Sequence, residues 1–178
     1  MSKRKEFVLA GSGGQGLVMM GILLGQAANQ DGYTVAQSQS YGIAARGGVS
    51  FSEVVISDDV IVYPKTRNPD LILALTQETY EMFHKKYPDC LIVVDSDAVS
   101  VPEDEKNARS LPLTGYCRKV GNMRVLNLLG IGVVQGFTNA ISNKAMEDTI
   151  QERFPKECEA NLAAFHKGIE FAVATKEQ

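Results

Sequence analysis

The stretch that decides the fold is Phe7-Val8-Leu9-Ala10-Gly11-Ser12-Gly13-Gly14-Gln15-Gly16-Leu17. Four apolar residues stop at a glycine, which reads as a buried first strand. Beyond Gly16, the apolar residues Leu17, Met20, Leu24 and Ala28 recur at helical spacing. The six residues between fit G-x-G-x-x-G, and they close a strand and open a helix, the context in which that pattern has a physical meaning. Glycines allow a tight turn and let an anion approach the backbone. The free N–H groups and positive dipole end of the helix then favour a phosphate. Gly11, Gly13, Gly14, Gln15 and Gly16 are therefore the first candidate binding residues. Gly21 and Gly25 lie four apart in the helix, which predicts that another chain segment packs close to its backbone.

Outward from this unit the chain alternates strands and helices. Asp31–Gly32 is a turn and Tyr33 to Ala36 a second strand. Residues 37–48 are polar and glycine-rich and read as a long loop. The segments 50–56 and 60–63, separated by Ser57-Asp58-Asp59, read as a β-hairpin. Strands are predicted over 71–75 and 91–94, with a helix over 77–86 between them. Leu111-Pro112-Leu113 reads as an edge strand, where proline is tolerated. Helices are predicted over 123–134, 143–154 and 155–175, with Pro155 in the first turn of the last. The pattern implies an α/β fold: a Rossmann-like doubly wound, mostly parallel sheet with helices on both faces and a small β-hairpin insertion. Residues 1–178 form one domain, a length and a hydrophobic content (44%) that suit a single core.

Composition narrows the function. The formal net charge is −3 and the only basic run, Lys3-Arg4-Lys5, is short, which argues against nucleic acid. No apolar run approaches the ~20 residues that span a bilayer, and no signal-peptide pattern opens the chain. Cytoplasmic residence is the expectation. Cys90, Cys117 and Cys158 are widely spaced, without the pairing that builds an iron–sulfur cluster or zinc site. No metal site and no catalytic residue is assigned to this chain. A dinucleotide site ordinarily places a carboxylate at the end of the second strand. Here that position reads Gln37-Ser38-Gln39, which argues against NAD.

The segment after the second strand carries the second set of candidates, Ser40-Tyr41-Gly42 and Arg46-Gly47-Gly48. Arg46 can hold a phosphate or carboxylate by two parallel bonds. Asn122, ahead of the apolar helix, is a cap or a ligand contact.

Taken together, Gly11 to Gly16, Ser40 to Gly42 and Arg46 to Ser50 resemble the gamma subunit of 2-oxoacid:ferredoxin oxidoreductases. The resemblance extends through Ser52–Ser57, Tyr63–Pro64, Asp70–Leu75, Val94–Asp95, Gly121–Asn122, Leu129–Gly130 and Glu159–Asn161. One departure is Ile43–Ala44, where members often carry Pro-Glu. Within the family the 2-oxoglutarate enzyme is most similar in appearance. The resemblance implies a multi-subunit enzyme that converts a 2-oxoacid and coenzyme A to acyl-CoA and CO2, passing electrons to ferredoxin. It implies alpha and beta partner subunits, with a ferredoxin-like delta subunit as a further candidate. Thiamine diphosphate, Mg2+ and 4Fe–4S clusters are then expected on the partners, and structural support with coenzyme A contact on this chain. The alternatives are a self-sufficient nucleotide-dependent oxidoreductase and a nucleotide-sensing module.

Overall fold

The computed structural model describes residues 4–41 and 48–176. Its frame is a six-stranded sheet in the order β2-β3-β1-β4-β5-β6. The strands are β1 (Arg4–Ser12), β2 (Thr34–Tyr41), β3 (Val49–Ser57), β4 (Leu71–Ala74), β5 (Ile92–Asp95) and β6 (Ala108–Leu111). The helices are α1 (Leu17–Gln30), α2 (Gln77–Lys86), α3 (Leu113–Lys119), α4 (Leu126–Thr138), α5 (Asn143–Arg153) and α6 (Cys158–Lys176), with a short 3-10 turn at Met123–Val125 before α4.

The central strands are apolar without alternation because both faces are covered. Phe7 and Leu9 of β1, Leu71 and Leu73 of β4, and Val93 of β5 join the core under α1 and α4. The intervening Val8, Ala10, Ile72, Ala74, Ile92 and Val94 pack on the other face with Tyr80 and Phe83 of α2. The period of two thus divides one continuous apolar run between two cores. The expected α/β class with helices on both faces is what the chain forms.

The sheet is mostly parallel, as expected: β1, β4, β5 and β6 run parallel, and β3 alone enters antiparallel, between β1 and β2. Two sequence expectations need correction. The predicted hairpin of 50–56 with 60–63 does not form. β3 pairs instead with β1 and β2, and among the described residues the Val60–Tyr63 segment has no strand partner, leaving Val60 78% and Val62 91% exposed. High β-propensity there is overridden because both edges of β3, the expected hairpin partner, are already taken by β1 and β2. Finally, residues 37–41 are not loop but the second half of β2. Their polarity suits an edge strand beside β3.

Smaller differences follow local chemistry. Leu111 ends β6 and Pro112 opens α3, a helix the sequence reading lacked. Asp95, fully buried, accepts hydrogen bonds from the backbone N–H of Leu113 and Thr114 and so caps that helix. The last helix starts at Cys158, and Pro155 lies in the turn before it. Two buried carboxylates strap the 58–70 segment to the sheet. Glu6 accepts from the N–H groups of Arg67 (2.6 Å) and Asn68 (3.0 Å), and Glu53 from Thr66 Oγ1 (2.5 Å) and Ser38 Oγ (3.1 Å).

Candidate functional site

At the carboxyl end of β1 the chain turns through Gly13 and Gly14 into Gly16, which caps α1 in the left-handed region at φ 77°. Gly14 also has positive φ (95°), a conformation that favours glycine. Gln15 folds back so that its Oε1 accepts from the Ser12 N–H at 2.7 Å. That oxygen occupies the space a side chain at Gly11 would need, which accounts for glycine there. At Gly13 the space around a would-be Cβ is open, so this residue faces outward from the turn. Among the described residues no side chain caps the start of α1.

Three helices bring their N-terminal ends to this corner. A Cβ placed on Gly16 would stand 3.1 Å from the Cβ of Asn127, in the first turn of α4. α6 runs parallel to α4: Gly132 meets Phe165 and Gly168, and Gly136 meets Ile169 and Ala172. The parallel crossing sets the first turn of α6 beside the first turn of α4. There Asn122, Arg124, Asn127, Leu128, Phe154, Glu157 and Asn161 line a cleft of about 360 Å³. Helix dipoles aligned in this way present their positive ends together, an arrangement that favours anions.

The candidates from sequence are placed as follows. Gly11 to Gly16 form the turn just described. Asn122 caps the 3-10 turn, accepting from the Arg124 N–H at 3.0 Å, and also borders the cleft. Ser40 and Tyr41 end β2 at the same edge of the sheet as the glycine turn. The register runs Gly11 to Ser50 to Tyr41 across β3. Tyr41 therefore stands two strand spacings, about 10 Å, from Gly11. Gly48 precedes β3. Gly42, Arg46 and Gly47 lie outside the described residues, as do Ile43 and Ala44. Arg124, Asn127 and Asn161 were missed by the sequence reading. The helical periodicity of the apolar residues located their helices, but nothing local joins residues more than thirty positions apart.

The absent ribose carboxylate has a structural counterpart. Gln37 lies mid-strand and its Nε2 donates to the Val18 carbonyl (3.1 Å) and to Ser52 Oγ (2.9 Å), which explains the close approach at Gly21. Asp31 is engaged at the far end of α1 with Ser142, and Glu53 with Thr66 and Ser38. No carboxylate occurs in the second half of β2.

Elsewhere the titratable groups have structural employment. His84 lies 3.3 Å from Glu105, and His166 3.4 Å from Glu147. All three cysteines are free thiols; burial, followed by the charge of Asp70 at Cys90 and of Asp95 at Cys117, pushes both of these up to about 11. Among the described residues no cluster of side chains could hold a metal ion, and no helix is long and apolar enough to cross a membrane.

Known proteins share this architecture. The chain is 39% identical over 180 residues to the 2-oxoglutarate synthase subunit KorC of Methanocaldococcus jannaschii, covering 95% of this chain and 94% of that one. The crystal structure of a keto/oxoacid ferredoxin oxidoreductase gamma subunit from Geobacter sulfurreducens superposes with a TM-score of 0.85 at 34% identity, covering 97% and 98% of the two chains. The same fold forms 31% of a chain of the 2-oxoglutarate:ferredoxin oxidoreductase from Magnetococcus marinus, with a TM-score of 0.87 at 23% identity over 97% of this chain. A family model described as pyruvate ferredoxin/flavodoxin oxidoreductase matches residues 6–171, and the chain belongs to that family.

Proposed function

We propose that this chain is the gamma-type subunit of a 2-oxoglutarate:ferredoxin oxidoreductase. The observation that carries the proposal is the likeness to a 2-oxoglutarate synthase subunit over almost the full length of both chains. The reaction joins a 2-oxoacid and coenzyme A to give acyl-CoA and CO2, and two electrons leave to ferredoxin. Decarboxylation requires thiamine diphosphate with Mg2+, and electron transfer requires 4Fe–4S clusters. These belong to alpha and beta partners, with a ferredoxin-like delta chain as a further member, in a cytoplasmic complex.

This chain's part is to support the complex and to bind coenzyme A, which was bound in the solved Magnetococcus enzyme. The support from geometry is the corner where α1, α4 and α6 begin. Coenzyme A is polyanionic, and backbone N–H groups at helix starts attract phosphate. Gly11, Gly13, Gly14, Gln15 and Gly16 would lie along its diphosphate, with Asn122 beside them. Ser40, Tyr41, Gly42, Arg46, Gly47 and Gly48 would complete the site from β2 and the segment after it, with Arg46 paired to a phosphate or to a partner chain.

The test is reconstitution. The purified chain with thiamine diphosphate, Mg2+, coenzyme A and a dye acceptor should not oxidise 2-oxoglutarate. Adding the partner subunits should yield succinyl-CoA. Turnover by the chain alone, or assembly with no partner, would overturn the proposal.

A further inference from the structure

The two edges of the sheet are guarded differently. β6 closes one edge with only four residues, among them Arg109, and Pro112 follows it directly. Short strands, cations and proline are the usual means by which an edge is kept from pairing with another chain. β2 closes the other edge with eight residues, Thr34-Val35-Ala36-Gln37-Ser38-Gln39-Ser40-Tyr41. It contains no charge, proline or glycine. Its register with β3 runs unbroken from Thr34 to Tyr41, so no bulge turns it aside. Among the described residues its strand partner is β3, and the row of backbone groups on its outer side meets no other strand.

The helix layer leaves room beside this edge. α1 stands back from β2, and a groove of about 520 Å³ opens between them, lined by Ile22, Gly25, Gln26, Val35, Gln37 and Glu152 of α5. Side chains of a further strand laid along β2 have this space on the α1 face. Only an extended strand offers the alternating donors and acceptors that such an edge requires.

The strand that fits is a second β2. A twofold axis perpendicular to the sheet sets β2 antiparallel to itself, keeps both α1 helices on one face and matches residues that point the same way. With the axis at Ser38, Gln37 of each copy stands opposite Gln39 of the other. Gln37 commits its NH2 to the Val18 carbonyl and to Ser52 Oγ, which leaves its side-chain oxygen to accept. Gln39 is exposed and has an NH2 to donate. The chain carries a net charge of −3, yet no like charges meet along this strand.

We infer that two copies of this chain join along β2, antiparallel about an axis at Ser38, into one continuous sheet. The complex proposed above then holds two gamma-type chains in direct contact. The inference does not depend on coenzyme A.

The experiment is sedimentation equilibrium of the full chain, with hydrogen exchange at β2. The parent should be a dimer at micromolar concentration, with the β2 amides that face away from β3 protected. Gln39→Lys and Gln39→Glu each place two like charges diagonally across the axis. Each should raise the dimer dissociation constant roughly tenfold or more and expose those amides. Their circular dichroism should match the parent's, because pairing of residue 39 with β3 uses backbone alone. An equal mixture of the two variants should recover the dimer, because opposite charges then face each other. A monomeric parent overturns the inference, as does a dimer indifferent to both substitutions or a mixture that stays monomeric. A chain that is monomeric alone, and whose β2 amides become protected only when partner subunits are added, gives the edge to a partner's strand and overturns self-pairing.

Discussion

Gly132 of α4 and Gly168 of α6 face each other where the two parallel helices cross. A Cβ on Gly132 would stand 3.0 Å from the Gly168 Cα, and one on Gly168 would stand 2.8 Å from the Gly132 Cα. Each would also strike backbone, at Phe165 and Leu129 respectively, so neither helix can yield by moving a side chain. The crossing sets the spacing of the two helix starts that flank the Asn161 cleft.

Gly132→Ala and Gly168→Ala should therefore both destabilise the chain, by about 1–3 kcal/mol or more, the range of overpacked cores. Thermal unfolding of each variant measures this. An unchanged melting temperature in both would mean that the helices are not in backbone contact.

Gly16→Ala probes the turn into α1. The residue has φ 77° and faces Asn127, so alanine meets a conformational cost of about 1–2 kcal/mol as well as a crowded neighbour. Lower stability and weaker coenzyme A binding are expected together. In contrast, Gly13→Ala has open space and should fold with normal stability while weakening only the ligand. Calorimetric affinities of the two variants, set beside their melting temperatures, decide the point.

Glu6→Ala removes the acceptor that holds the N–H groups of Arg67 and Asn68. Charge-assisted bonds of this kind contribute about 1.5–3 kcal/mol. Hydrogen exchange at residues 67 and 68 should accelerate, and proteases should cut within 58–66. Retained protection at those amides would show that another group secures the strap.

Cys90 should react slowly and with an unusual pH profile. Its thiol donates to the Pro69 carbonyl at 3.1 Å, and burial followed by the charge of Asp70 raises it from 9.0 to about 11. At pH 8 only about 0.1% is thiolate, and alkylation should rise roughly tenfold per pH unit up to pH 10. The thiol's contribution to stability is complete below pH 9 and is lost as pH climbs towards 11. Mass-spectrometric labelling that levels off near pH 9 would contradict this.

Much of the architecture was legible because it is local. Phe7 to Leu17 announces strand, turn and helix through its own residues, and the apolar runs at 71–75 and 91–94 require two covered faces. What went unread was non-local. Val60–Tyr63 has strand composition, yet a strand needs an edge, and β1 and β2 already occupy both edges of β3. Residues 37–41 lack apolar alternation because an edge strand needs little of it. α3 was hidden by Pro112, whose compatibility with an edge strand is no more informative than its compatibility with a helix start.

The sequence by itself determined that the chain is α/β, that a glycine turn ends its first strand and opens a helix, and that no carboxylate stands ready for a dinucleotide ribose. These follow from side-chain volume, backbone freedom and charge within a few residues. Only the tertiary structure decided that β3 enters antiparallel between β2 and β1, and that Asn161 arrives beside Asn127. A period of two or of 3.6 states which face of an element is apolar but not which element will cover it. That choice is made by packing, here by glycines that let α4 and α6 meet backbone to backbone and so fix where their first turns stand.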